Sequence, residues 1–106
     1  MALTRDFKET IVARVKEDPA FARALFDEAL NLMYEGETKT ARLVLRDLVN
    51  ATVGFQSLAT ITHKESKSVQ RMLSASGNPT MENLSIIIKT IKDALNVEIK
   101  TNVVPV

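Results

Sequence analysis

The chain has 106 residues, with 14 basic and 13 acidic side chains, one histidine and no cysteine. That length favours one domain with a self-sufficient core, and 45% hydrophobic against 25% charged residues is an ordinary balance for a folded protein. The missing cysteines exclude disulfides, thiolate metal sites and cysteine nucleophiles together, and they fit a reducing, cytoplasmic setting.

Residues 1–16 hold no apolar run of the signal-peptide kind. Runs such as Ile86–Ile88 fall far short of the roughly 18 apolar residues that a membrane span needs. The first helix is read from Phe7, Ile11, Val12 and Val15, which share one face, with Thr4 as its N-cap. Asp18-Pro19 is a stop and restart. Aspartate suits an N-cap, and proline in the first helical position loses no needed hydrogen bond. Phe21, Leu25, Ala29, Leu32 and Met33 carry a second helix as far as Gly36, a C-cap.

A third helix puts Ala41, Val44, Leu45, Leu48 and Val49 inward and Arg42 and Arg46 away from that face. Gly54 ends it or starts the next turn. Two short helical patterns follow, Phe55–Ile61 and Ser66–Leu73, and Ser74–Pro79 is a loop by composition. Thr80 caps a last helix with Leu84, Ile87, Ile88, Ile91 and Leu95 inward. Its apolar residues spread wider than one stripe, which places this helix at the centre of the core. The fold class is therefore all-α, with five or six helices. Residues 1–37 are a helical pair packed on the same domain, and residues 38–96 hold the functional unit.

Residues 97–106 change period. Val97 and Ile99 alternate with Glu98 and Lys100, a strand-like pattern with no partner strand in the chain. Such a segment pairs with another molecule, packs irregularly or frays. Tyr34 reads as a buried edge tyrosine, and Met1, Met33, Met72 and Met81 read as core filling.

Charge is distributed unevenly. Residues 1–37 carry five basic and eight acidic side chains. Residues 38–77 carry six basic ones (Lys39, Arg42, Arg46, Lys64, Lys67, Arg71) against Asp47 and Glu65. A basic middle segment in a near-neutral chain is what a local polyanion-binding surface requires.

That segment contains a constellation over residues 55–74. Small Ala59 suits a close helix crossing, with Leu58, Val69 and Met72 supplying apolar contacts. His63 falls at the turn between two short helices, where a positive φ is often needed, and histidine is among the few non-glycine residues enriched there. The outward face of the second helix is Ser66, Lys67, Gln70 and Arg71. Side chains of these types reach base edges and phosphates in a major groove.

The run Leu58-Ala59, then Ser66–Arg71, then Gly77-Asn78-Pro79-Thr80 followed by Asn83-Leu84 resembles the phage-repressor-like (Xre/Cro) helix-turn-helix family. Within that group it is most similar to the antidote proteins of bacterial addiction modules, which share the Gly-Asn-Pro-Thr lead-in to the last helix. The likeness is ungapped over about residues 40–95. It implies a lambda-repressor-like helix-turn-helix whose second helix enters the major groove. It implies base contacts for Ser66, Lys67 and Arg71, and phosphate contacts for Lys64, Ser68, Gln70 and Gln56. It also implies a homodimer on double-stranded operator DNA, acting as a transcriptional repressor. A cognate toxin, cutting RNA in a ribosome-dependent way, would be the protein it neutralises. Two positions depart from the family pattern: Lys64 stands where an apolar residue is usual, and Phe55 where a polar, phosphate-contacting one is common.

Nothing in the sequence points to an enzyme. The one histidine is a turn residue, the acidic pair Asp27-Glu28 is adjacent and so divergent on a helix, and no metal-spaced cluster, P-loop or dinucleotide fingerprint is present. No cofactor is expected. A reading of a different class is a helical interaction module that does not bind DNA and docks a basic partner on its acidic segment 1–37.

Overall fold

A computed structural model describes residues 2–106, with side chains described from residue 10 onward. Six helices follow one another: α1 (Ala2–Glu17), α2 (Pro19–Tyr34), α3 (Thr38–Ala51), α4 (Gly54–Thr62), α5 (Ser66–Met72) and α6 (Met81–Leu95). The fold is all-α, and no strand occurs among the described residues. None of these helices is long and apolar enough to cross a membrane.

Most helix ends follow from single residues. Asp18 caps α2 as expected, its carboxylate accepting from the Phe21 N–H at 3.1 Å, with Pro19 in the first turn. At the other end Gly36 takes φ +82°. Its N–H donates to the Met33 carbonyl at 3.0 Å and that of Glu37 to the Leu32 carbonyl at 2.8 Å, the paired bonds of a Schellman ending. Thr80 caps α6 by accepting from the Asn83 N–H at 3.1 Å. Gly54, at φ +78°, starts α4. One expected cap moves: α1 begins at Ala2, so Thr4 lies inside its first turn. The side chains of Thr4 and Phe7, and Met1 itself, fall outside the described residues.

One apolar cluster draws on all six helices. Its centre is α3, whose Leu45, Leu48 and Val49 are fully buried and which touches α1, α2 and α4. This corrects the expectation that α6 is central. Only Ile87 and Ile91 of α6 are fully buried. Its second apolar stripe, Ile86 and Ala94, instead lines an open groove of about 540 Å³ with Val53, Ile61 and Thr90. A stripe that borders an open groove rather than a filled contact stays partly exposed however apolar it is.

Two further expectations are corrected. Tyr34, the last residue of α2, is exposed where the helix ends, and Met81 is exposed as the first residue of α6. Met33 and Met72 are partly buried. Residues 97–106 form no strand, yet they do not stand free. Val97 and Ile99 pack against the core, beside Phe26 and Leu30 of α2.

Candidate nucleic-acid interface

The sequence brings α4 and α5 together through a turn with a required geometry. His63 ends α4 in the left-handed region, φ 56° and ψ 39°. The next N–H, of Lys64, then reaches back to the Ala59 carbonyl at 3.0 Å. Thr62 is the buried polar residue of this turn. Its hydroxyl donates to the Leu58 carbonyl at 2.9 Å, so no polar atom is orphaned by its burial. Ala59 and Leu58 from α4 and Val69 from α5 are buried at the crossing, and so is Leu73 just after α5. Met72 lies half-buried on its flank.

The two departures from the family pattern resolve differently. Lys64 is exposed, so the turn packs without an apolar residue there. Phe55 is buried in the core, which removes it from any backbone contact and leaves exposed Gln56 as the polar group at that end of α4.

Burial on α5 is strictly periodic. Val69 and Leu73 face the core. Lys67 and Arg71, one turn apart, point the opposite way and are exposed. Ser66 and Gln70 form a half-buried flank, where the Gln70 amide donates to the Ser66 hydroxyl at 3.0 Å. Ser68 lies half-buried on the other flank, so it is separated from that pair by the outer stripe. Lys64, at the turn, and the five candidate positions of α5 (Ser66, Lys67, Ser68, Gln70 and Arg71) thus lie on one turn-and-helix segment. Gln56 sits a helix away, on α4, which packs against α5.

No ion pair among the described residues involves Lys64, Lys67 or Arg71. Lys89–Asp93 at 2.7 Å and Lys92–Asp93 at 3.3 Å are ion pairs of α6. The cations of the α5 face are therefore available to an external anion.

The far end of α5 is held by a residue that sequence reasoning counted only as a surface cation. Arg42 of α3 donates from Nε to the Ser74 carbonyl at 3.0 Å and from Nη2 to the Ala75 carbonyl at 2.8 Å. Ser74 itself closes the helix, its hydroxyl donating to the Arg71 carbonyl at 2.8 Å. A guanidinium at a helix C-terminus also meets the negative end of the helix dipole. Gly77 follows in a place where a Cβ would overlap the Met72 and Arg71 carbonyl oxygens. Partners 32 and 33 residues apart leave no local pattern, so only the glycine in the Gly77–Thr80 run hinted at this clasp.

A seven-residue helix has little stability of its own. Here it is fixed at one end by the His63 turn, at the other by Arg42, and along its length by Val69. That arrangement fixes the backbone from which Lys67 and Arg71 project. No protein-family model, curated protein or solved structure matches the chain.

Proposed function

We propose that this chain is a sequence-specific DNA-binding repressor that reads operator DNA as a homodimer, with α5 in the major groove. The observation that carries this is the outer stripe of α5: Lys67 and Arg71 are exposed, one turn apart and free of ion pairs among the described residues, on a helix held at both ends. Arginine and lysine pair with guanine edges, so this stripe takes the base-reading role together with Ser66. Lys64, Ser68, Gln70 and Gln56 take the phosphates on either side.

The family resemblance over residues 40–95 extends the reading. By it, the protein is the antitoxin of a toxin–antitoxin pair in the cytoplasm and represses its own operon. The role is non-catalytic, and His63 serves the turn rather than a reaction. A protein-interaction module docking a basic partner is the second reading. It is favoured by exposed Asp27, Glu28, Glu35 and Glu37 on and just after α2.

Selection from a random-sequence duplex pool separates the two. The DNA-binding reading predicts enrichment of one sequence, symmetric about a dyad, bound with an affinity that falls steeply with salt. A pool that stays random after repeated rounds would rule the reading out.

A further inference from the structure

We infer that residues 97–101 are an open strand edge that pairs antiparallel with the same segment of a second copy, centred on Ile99. Three observations carry this.

The first is the backbone. Residues 98–106 take part in no backbone–backbone hydrogen bond among the described residues, although Val97 and Ile99 are held against the core. A segment outside any helix, with one face anchored and its backbone groups without an internal partner, can template another strand.

The second is the periodicity of burial. Val97 and Ile99 are half-buried while Asn96, Glu98 and Lys100 are exposed, so the segment already has the two faces of a strand. Beside it runs a groove of about 440 Å³, lined by Leu30 and Tyr34 of α2 and by Ile99 and Val103. Val103 is 91% exposed at its rim. The groove leaves apolar surface of Ile99 and Val103 uncovered along the segment.

The third is charge, and it selects both the occupant and the register. With Ile99 opposite Ile99 of the second copy, Glu98 faces the second copy's Lys100 and Lys100 faces the second copy's Glu98. Two opposite-charge pairs then lie on the solvent side, and Val97 faces Thr101 on the inner side. A shift of the twofold axis by one residue either way sets Lys100 against Lys100, or Glu98 against Glu98. A half-step would turn the charged residues of the added strand toward the core. A parallel in-register pair aligns like with like. Of these pairings, only the Ile99-centred antiparallel one sets opposite charges against each other, and it is compatible with a twofold interface.

This deepens the twofold operator reading proposed above and rests on it for its purpose, while the pairing itself is tested without DNA. Sedimentation equilibrium of the full chain at micromolar concentration is run beside Glu98→Lys, Lys100→Glu and the double swap carrying both. Each single reversal turns both cross-strand pairs into like-charge pairs, so the dimer dissociation constant should rise roughly tenfold. The double swap restores both pairs and should return it to near the wild-type value. These residues are exposed, and unchanged thermal melts at low concentration will show that the fold survives. A monomeric wild-type chain, single reversals without effect, or a double swap that does not rescue would each overturn the inference. A dimer insensitive to all three variants would point to a helical face instead, and a monomer that still selects DNA would separate this failure from that of the operator reading.

Discussion

Arg42 and Ser74 lie 32 residues apart, yet the guanidinium Nε of the first donates to the carbonyl of the second at 3.0 Å. The same group reaches Ala75 at 2.8 Å, so one side chain of α3 fastens the chain where it leaves α5. A charged donor spanning two carbonyls is worth more than a neutral bond, though partial exposure of the pair reduces it.

Replacing Arg42 with glutamine should therefore loosen that end of α5 without unfolding the protein. We expect a stability loss of about 1–2 kcal/mol. For a chain of this size that is a drop of roughly 4–15 °C in Tm. Faster amide exchange should be concentrated at Ser74 and Gly77, whose N–H groups donate to the Arg71 and Ser74 carbonyls. Exchange rates equal to wild type at those two amides, measured by NMR, would show that Arg42 is not the fastening.

Gly77 gives a second, independent handle on the same loop. Its backbone approaches the C-terminal carbonyls of α5 so closely that a Cβ meets Met72 and Arg71 oxygens, both backbone atoms that cannot swing aside. Gly77→Ala should cost about 1–3 kcal/mol, the usual range for overpacking. Gly36→Ala meets no such obstruction, because nothing lies within 4 Å of its Cβ position; its cost comes from its positive φ alone. Thermal melts of the two variants are the check, and a Gly77 variant as stable as wild type would contradict the close approach.

Most of the fold was legible because it is written in local chemistry. Asp18-Pro19, Gly36 and Thr80 set helix ends through bonds that span three to five residues, so a linear reading finds them. His63 at φ 56° belongs to the same class, since a tight turn states its own conformational demand. The illegible parts depend on what lies opposite. The apolar spread of α6 gave no sign that Ile86 faces an open groove, and nothing local to Tyr34 shows that its side chain is left uncovered. Arg42 is indistinguishable from Arg46 by periodicity, because both lie off the apolar stripe of α3. Residues 97–101 were legible as a strand pattern, but not the α2 surface against which they lie.

The α4–α5 crossing is tested by burial. Val69 is fully buried, and an aspartate there would place an unpaired carboxylate in the core, with a cost of several kcal/mol. Ala59 is 6% exposed at the crossing, and added methylenes in Ala59→Leu should cost about 1–3 kcal/mol. Circular dichroism melts should place Val69→Asp well below Ala59→Leu, and Ala59→Leu below wild type. Melting temperatures near wild type for both would mean the unit is not packed as described.

The claim that the outer stripe of α5 reads DNA is tested most directly by titrating a selected duplex with wild type, Lys67→Ala and Arg71→Ala, by fluorescence anisotropy at fixed and then at raised salt. Both side chains are exposed and make no contact that supports the core, so the variants should melt as wild type does. Each lost base contact is worth about 1–3 kcal/mol, and the predicted result is a roughly ten- to hundredfold weaker affinity for the selected duplex in each variant. A scrambled duplex should lose less, and wild-type affinity should fall steeply as salt rises. Unchanged affinity in both variants, or binding indifferent to salt, would contradict the account.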